Sequence, residues 1–173
     1  VADLPEKFTV LKDGVRLMVL GAIVEGGGGC ACPESALLKA LLSHLIVRRR
    51  ETVIVDLEAG VEHLGRGTCK AVDAMLIVVE PTRRSVDVAR TIDELAAQVG
   101  VRRRVAVGGK VRNETEARFL EQALGELKML GAMRYDEGIA LADMEGRPLY
   151  DSAPAVVEDV RRVLLALRGV VGG

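Results

Sequence analysis

Val53-Ile54-Val55-Asp56-Leu57-Glu58-Ala59-Gly60 is the stretch that decides the fold class. Its apolar residues run on without the in/out alternation of a half-exposed strand. Strands of that kind are buried on both faces, as in a parallel sheet. Ending such a strand in Asp56 puts a carboxylate at the carboxyl edge of the sheet, where open α/β folds bind their ligands. Similar runs recur at Val15 to Leu20, Ala74 to Val79 (with Leu76-Ile77-Val78-Val79), Arg104 to Gly109 and Leu127 to Met133, giving five predicted strands together with Thr52 to Leu57.

Helical patterns fill the intervals. Pro33 to Val47 opens with a proline near its first turn and is apolar around most of its circumference, which predicts a well-buried helix. Val88, Ile92, Leu95 and Val99 predict one face of a second helix. Asn113 followed by Glu116 has the spacing of a capping box and opens a third, carrying Leu120 and Ala123. Ser152 with Pro154 opens a last helix striped by Val156, Val160, Val163 and Leu167. Strand-helix alternation of this sort predicts an α/β fold with a mostly parallel sheet flanked by helices. No internal repeat or long linker interrupts it, so residues 1–173 are expected to form a single α/β domain.

Composition narrows the function. Lys+Arg number 24 and Asp+Glu 25, for a net charge of -1, against the basic excess of proteins that coat phosphate backbones. Aromatics are 2% with no Trp, so the core is built of aliphatic residues and a base-stacking nucleic-acid platform is excluded. Mean hydropathy is +0.23, yet no stretch reaches the about 18 uninterrupted apolar residues of a membrane span. Three cysteines, two of them at Cys30-Ala31-Cys32, and no secretory signal point to a reducing cytoplasm, where clustered thiols serve metal or redox chemistry.

Two segments can carry chemistry. Asp at the end of an apolar strand commonly holds Mg²⁺ through water in phosphate-handling enzymes. Gly60 lets a backbone amide approach a terminal phosphate, because no Cβ blocks it. The alternative is a strand-end Asp that only starts a turn. In Gly26-Gly27-Gly28-Gly29-Cys30-Ala31-Cys32-Pro33, thiols two residues apart project to the same side of an extended chain. Two thiolates do not complete a four-ligand site, and no other Cys or His is near in sequence. A two-fold dimer, each copy giving Cys30 and Cys32 to one ion, is the economical completion. Free thiols in a loop are the alternative. Glu58, Glu62 and His63 can orient water or lie in a solvated loop, and Arg48 to Arg50 and Arg102 to Arg104 read as structural charge.

Together these segments resemble the MinD/ParA/nitrogenase-iron-protein class of P-loop ATPases. Within it they are most similar to the CooC-type, nickel-inserting accessory ATPases that mature carbon monoxide dehydrogenase. The resemblance rests on Gly27 to Glu34, on Val55 to Gly67 and on Val78-Val79-Glu80-Pro81, and extends from about Val15 to the carboxyl end. It implies that Asp56 is the catalytic Walker B carboxylate and that Gly60 and Glu58 belong to the switch around the γ-phosphate. It assigns Lys110 and Pro81 to nucleotide binding, and Cys30 and Cys32 to a Ni²⁺ or Zn²⁺ ion shared across a nucleotide-dependent homodimer. ATP with Mg²⁺ is the implied cofactor set, ATP hydrolysis the implied activity, carbon monoxide dehydrogenase the implied client, and neither nucleic acid nor a membrane span an implied partner.

The chain departs from the pattern twice. No Lys-Ser/Thr follows the glycines at Gly26 to Gly29, and the chain opens on Val1, read either as a lost amino end or as a GUG start. The phosphate loop and its central strand are therefore expected to lie outside this chain, which alone should bind ATP poorly. Gly109 also stands where relatives place an Asn that reads the adenine. Two other readings stay open: an iron-sulfur electron-transfer ATPase like the nitrogenase iron protein, and a metal-free switch module.

Overall fold

The computed structural model describes residues 9–19, 52–57 and 72–172. These fall into two compact units, one before position 72 and one from Val72 onward. In the first, β1 (Thr9–Lys12) pairs antiparallel with β2 (Val15–Met18), joined by Asp13 and Gly14 at φ 50° and 80°. Two successive left-handed residues make the type I′ turn that Asp-Gly favours, because its twist matches that of the flanking strands. The run from Val15 is thus a strand, but an exposed hairpin arm and not the buried parallel strand its apolar content predicts. Val15, Leu17 and Val19 are all well exposed. The Asp-Gly signal outweighs the apolar run here. Residues 52–57 correct a second expectation: they form no strand, and Ile54 is 88% exposed. An apolar run becomes a strand only when a neighbour takes up its backbone hydrogen bonds, and no described strand does so.

The second unit is the α/β fold the sequence predicts. β3 (Met75–Val79), β4 (Arg104–Val111) and β5 (Met129–Arg134) form a parallel sheet in that order. Helix α1 (Arg83–Gln98) and helix α2 (Glu114–Leu124) make the two crossovers. Past β5 come α3 (Glu137–Met144), the single turn α4 (Leu149–Ser152) and α5 (Pro154–Val171). One sheet face meets α1 and α2 through Ile77, Val79, Val86, Ala89, Ala106, Leu120 and Leu124. Gly108 belongs to this face: a Cβ there would sit 3.0 Å from Ala132 Cβ and 3.1 Å from Leu120 Cδ1. Residues of opposite parity face the other way, where Gly131 lies against Val163 of α5 and Gly109 against Val78.

Helix boundaries follow their caps. Asn113 Oδ1 accepts the Glu116 N–H at 3.0 Å, as predicted, while Glu116 Oε2 accepts from Arg112 N, one residue before the usual capping-box partner. Replacing Asn113 with Ala is expected to cost about 1 kcal/mol, read as a lower urea midpoint at unchanged slope. On α1 the buried stripe is Val86, Ala89 and Ala96; Val88, expected inside, is 46% exposed. Helix α5 starts at Pro154, but Ser152 does not cap it. Its hydroxyl donates to Pro148 O, and Ala153 occupies the cap position. The Arg102 to Arg104 run is structural at Arg104, whose guanidinium holds Asp93 at 2.6 Å and Val101 O at 2.7 Å, joining α1 to the start of β4.

Candidate functional site at the carboxyl edge of the parallel sheet

Parallel strands end on one edge, so Glu80, Lys110 and Arg134 to Asp136 come together from three strand ends although 30 or more positions separate Glu80 from the others. Lys110 Nζ reaches Glu80 Oε1 at 2.5 Å. Glu80 is itself held by its backbone N–H, which donates to Ser85 Oγ at 3.0 Å, while Ser85 N donates to the cap hydroxyl of Thr82 at 3.1 Å. The half-buried Pro81 lies between Glu80 and this cap.

Lys110 has φ 54°, a left-handed conformation that side-chain-bearing residues rarely adopt. It sits where the β4–β5 register slips between Gly108 and Val111, the signature of a bulge. Left-handed backbone costs a non-glycine residue about 1–2 kcal/mol, and an ion pair as exposed as Lys110–Glu80 returns about 0.2–1 kcal/mol. The pair therefore does not offset the strain, and strained residues that persist on such terms concentrate at functional sites.

Beyond the bulge, Tyr135 N donates to Val111 O at 2.9 Å, and the Arg112 guanidinium lies 4.4 Å from the centre of the Tyr135 ring, a cation–π contact. Asp136 caps α3 through Gly138 N at 2.8 Å. Just before them, Arg134 donates to the buried Asp159 of α5 three times: from its backbone N (3.0 Å), Nε (2.8 Å) and Nη2 (2.9 Å). Arg162 adds a fourth donor at 2.7 Å. The hydrogen bonds from Arg134 hold the Asp159 carboxyl below the usual carboxylate range despite its burial, and Asp159 in turn raises the Arg134 pKa. The segment carrying Tyr135 is thus fixed before and after the aromatic ring.

Of the residues the sequence singles out, Lys110 and Pro81 come to this edge. Asp56 is an exposed residue of the amino-terminal unit. Glu58, Gly60, Cys30 and Cys32 lie outside the described residues, as do Cys69 and both histidines. Among the described residues no three His, Cys, Asp or Glu side chains converge as a metal site, and no helix is long and apolar enough to cross a membrane. Arg112, Tyr135 and Asp136 escape sequence reasoning because nothing local marks them. Their only signal is that each falls just past a predicted strand end. For a nucleotide the edge offers the Tyr135 ring and the Arg112 guanidinium, while the buried Gly109 has no side chain to read a base.

A parallel sheet flanked by helices, with ligand-type groups gathered beyond its strand ends, has the architecture of the P-loop NTPase-like α/β proteins. No family model matches the chain. It is, however, 37% identical over 172 residues to the carbon monoxide dehydrogenase accessory protein CooC of Rhodospirillum rubrum, covering 99% of this chain and 65% of that protein. Two uncharacterized ATP-binding proteins of Methanocaldococcus jannaschii are 42% identical over 161 residues (91% of this chain, 62% of theirs) and 32% over 164 (95% and 65%). The chain is similar to this accessory protein and to these ATP-binding proteins, of whose length it spans less than two thirds.

Proposed function

We propose that the chain serves carbon monoxide dehydrogenase maturation as part of a cytoplasmic, ATP-dependent switch that carries nickel to the enzyme. The observation that carries this reading is its similarity, along 99% of its length, to a protein named for that accessory role. The ATP-binding relatives support a nucleotide as ligand. In this reading Asp56 would hold Mg²⁺ through water, and the ion would supply charge neutralisation for ATP hydrolysis. Glu58 and Gly60 respond to the terminal phosphate, and Lys110 and Pro81 belong to the nucleoside side. Cys30 and Cys32, two from each copy, hold the metal cargo between the members of a homodimer, with Ni²⁺ or Zn²⁺ suited to the four thiolates.

Native mass spectrometry of the reduced chain with limiting Ni²⁺ or Zn²⁺ tests the cargo site. A dimer carrying one metal, and its loss in Cys30→Ser and Cys32→Ser, is the expected result. Equal metal content in wild type and both variants would sink the assignment. Brown protein absorbing near about 400 nm after anaerobic iron and sulfide addition would move the reading to an iron-sulfur ATPase.

A further inference from the structure

We infer that Glu80 is a positioning residue for the nucleotide edge, acting through Lys110 on the platform made by Arg112 and Tyr135; this rests on the nucleotide reading above. Four contacts form the chain of influence. Ser85 fixes the Glu80 backbone, and Glu80 Oε1 holds Lys110 Nζ at 2.5 Å. Lys110 is the left-handed residue of the bulge, at φ 54°. The residue after it, Val111, accepts the Tyr135 N–H at 2.9 Å, and the next, Arg112, covers the Tyr135 ring.

Everything else around the platform is secured without strain. Glu116 accepts from Arg112 N, Asp159 holds Arg134, and Asp136 caps α3. Lys110 is the one strained joint among these residues, and the side chain that holds it comes from the neighbouring strand end. A ligand bound against Tyr135 therefore meets a surface whose angle depends on Glu80, a residue that need not touch it. In this arrangement the Lys110 ammonium is engaged by the Glu80 carboxylate, and through that contact it restrains the bulge on the nucleoside side.

The test uses the full chain with Tyr150→Phe, which leaves Tyr135 the only fluorophore of its kind in a Trp-free protein. In this background Glu80→Gln is expected to raise acrylamide quenching of Tyr135 and to weaken binding of a fluorescent ATP analogue by up to about fivefold, the most an exposed ion pair of this kind returns. Lys110→Ala, which removes the ammonium and keeps the left-handed strain, should do the same. The double variant should be no worse than either single one, since both changes break one link. Additive losses would mean that Glu80 meets the nucleotide directly and would overturn its role through Lys110. Unchanged Tyr135 quenching in Glu80→Gln would overturn the inference whatever the nucleotide does. Because the chain alone is expected to bind ATP poorly, Tyr135 quenching is the deciding readout: quenching that responds to Glu80→Gln supports the positioning link even where the parent chain captures no analogue.

Discussion

Leu120→Ala is expected to destabilise the carboxyl-terminal unit by about 3–4 kcal/mol, seen as a lower urea midpoint. Leu120 has no exposed surface and lies in the cluster that joins α2 to the sheet. Truncating it loses the transfer free energy of the side chain and leaves a void bounded by well-packed neighbours. The void has a known wall: Leu120 Cδ1 would be 3.1 Å from a Cβ at position 108. Gly108→Ala alone therefore overpacks this site, at a cost of about 1–3 kcal/mol. In the Leu120→Ala background one of the three close neighbours of that methyl is gone, leaving Ala132 and Val111. The double variant should accordingly be less destabilised than the sum of the two. Strict additivity would show that Leu120 and position 108 do not share this space.

The second large effect is at Asp159. Its carboxylate is 7% exposed and receives four hydrogen bonds, three from Arg134 and one from Arg162. Because both arginines are half exposed, removing the acid strands no buried cation, and Asp159→Ala is expected to cost about 2–3 kcal/mol. The acid dependence follows from the sign of the shift. The folded-state pKa of Asp159 lies below its unfolded value, so its contribution is complete above the ordinary Asp range near about 4 and is lost as pH falls toward the folded value. Wild type should lose stability more steeply than Asp159→Asn on acidification below about pH 4, and the two curves should converge. Parallel curves down to acid pH would show that the carboxylate carries no such linkage.

The parallel core was legible because its evidence is local and redundant. Leu76-Ile77-Val78-Val79 reads as a strand buried on both faces; it is a parallel strand, but only Ile77 and Val79 enter the core beneath α1, while Leu76 and Val78 are 40% and 61% exposed. Asn113 caps α2 at the predicted position. What failed depended on partners. Val15 to Leu20 has the same apolar content as a central strand, and only Asp13-Gly14 reveals a hairpin. The run from Thr52 carries no record of whether another strand will pair with it. The edge was less legible still. Tyr135 and Arg112 stand 23 positions apart and meet only because β4 and β5 are neighbours with a bulge at Lys110. The family resemblance singles out Lys110, but its left-handed backbone and its hold on Glu80 appear only in three dimensions.

Strands β3, β4 and β5 lie side by side in the order in which they occur along the chain. Among the described strands of this sheet, β4 thus docks on β3 and β5 on β4, with no later strand threaded between two earlier ones. The cost of closing each crossover is set by the length of one helix and its turns and grows only slowly with that length. On the ribosome, β3, α1 and β4 can come together before α5 has been synthesised, and the ion pair of Asp93 with Arg104 ties the first crossover as it forms.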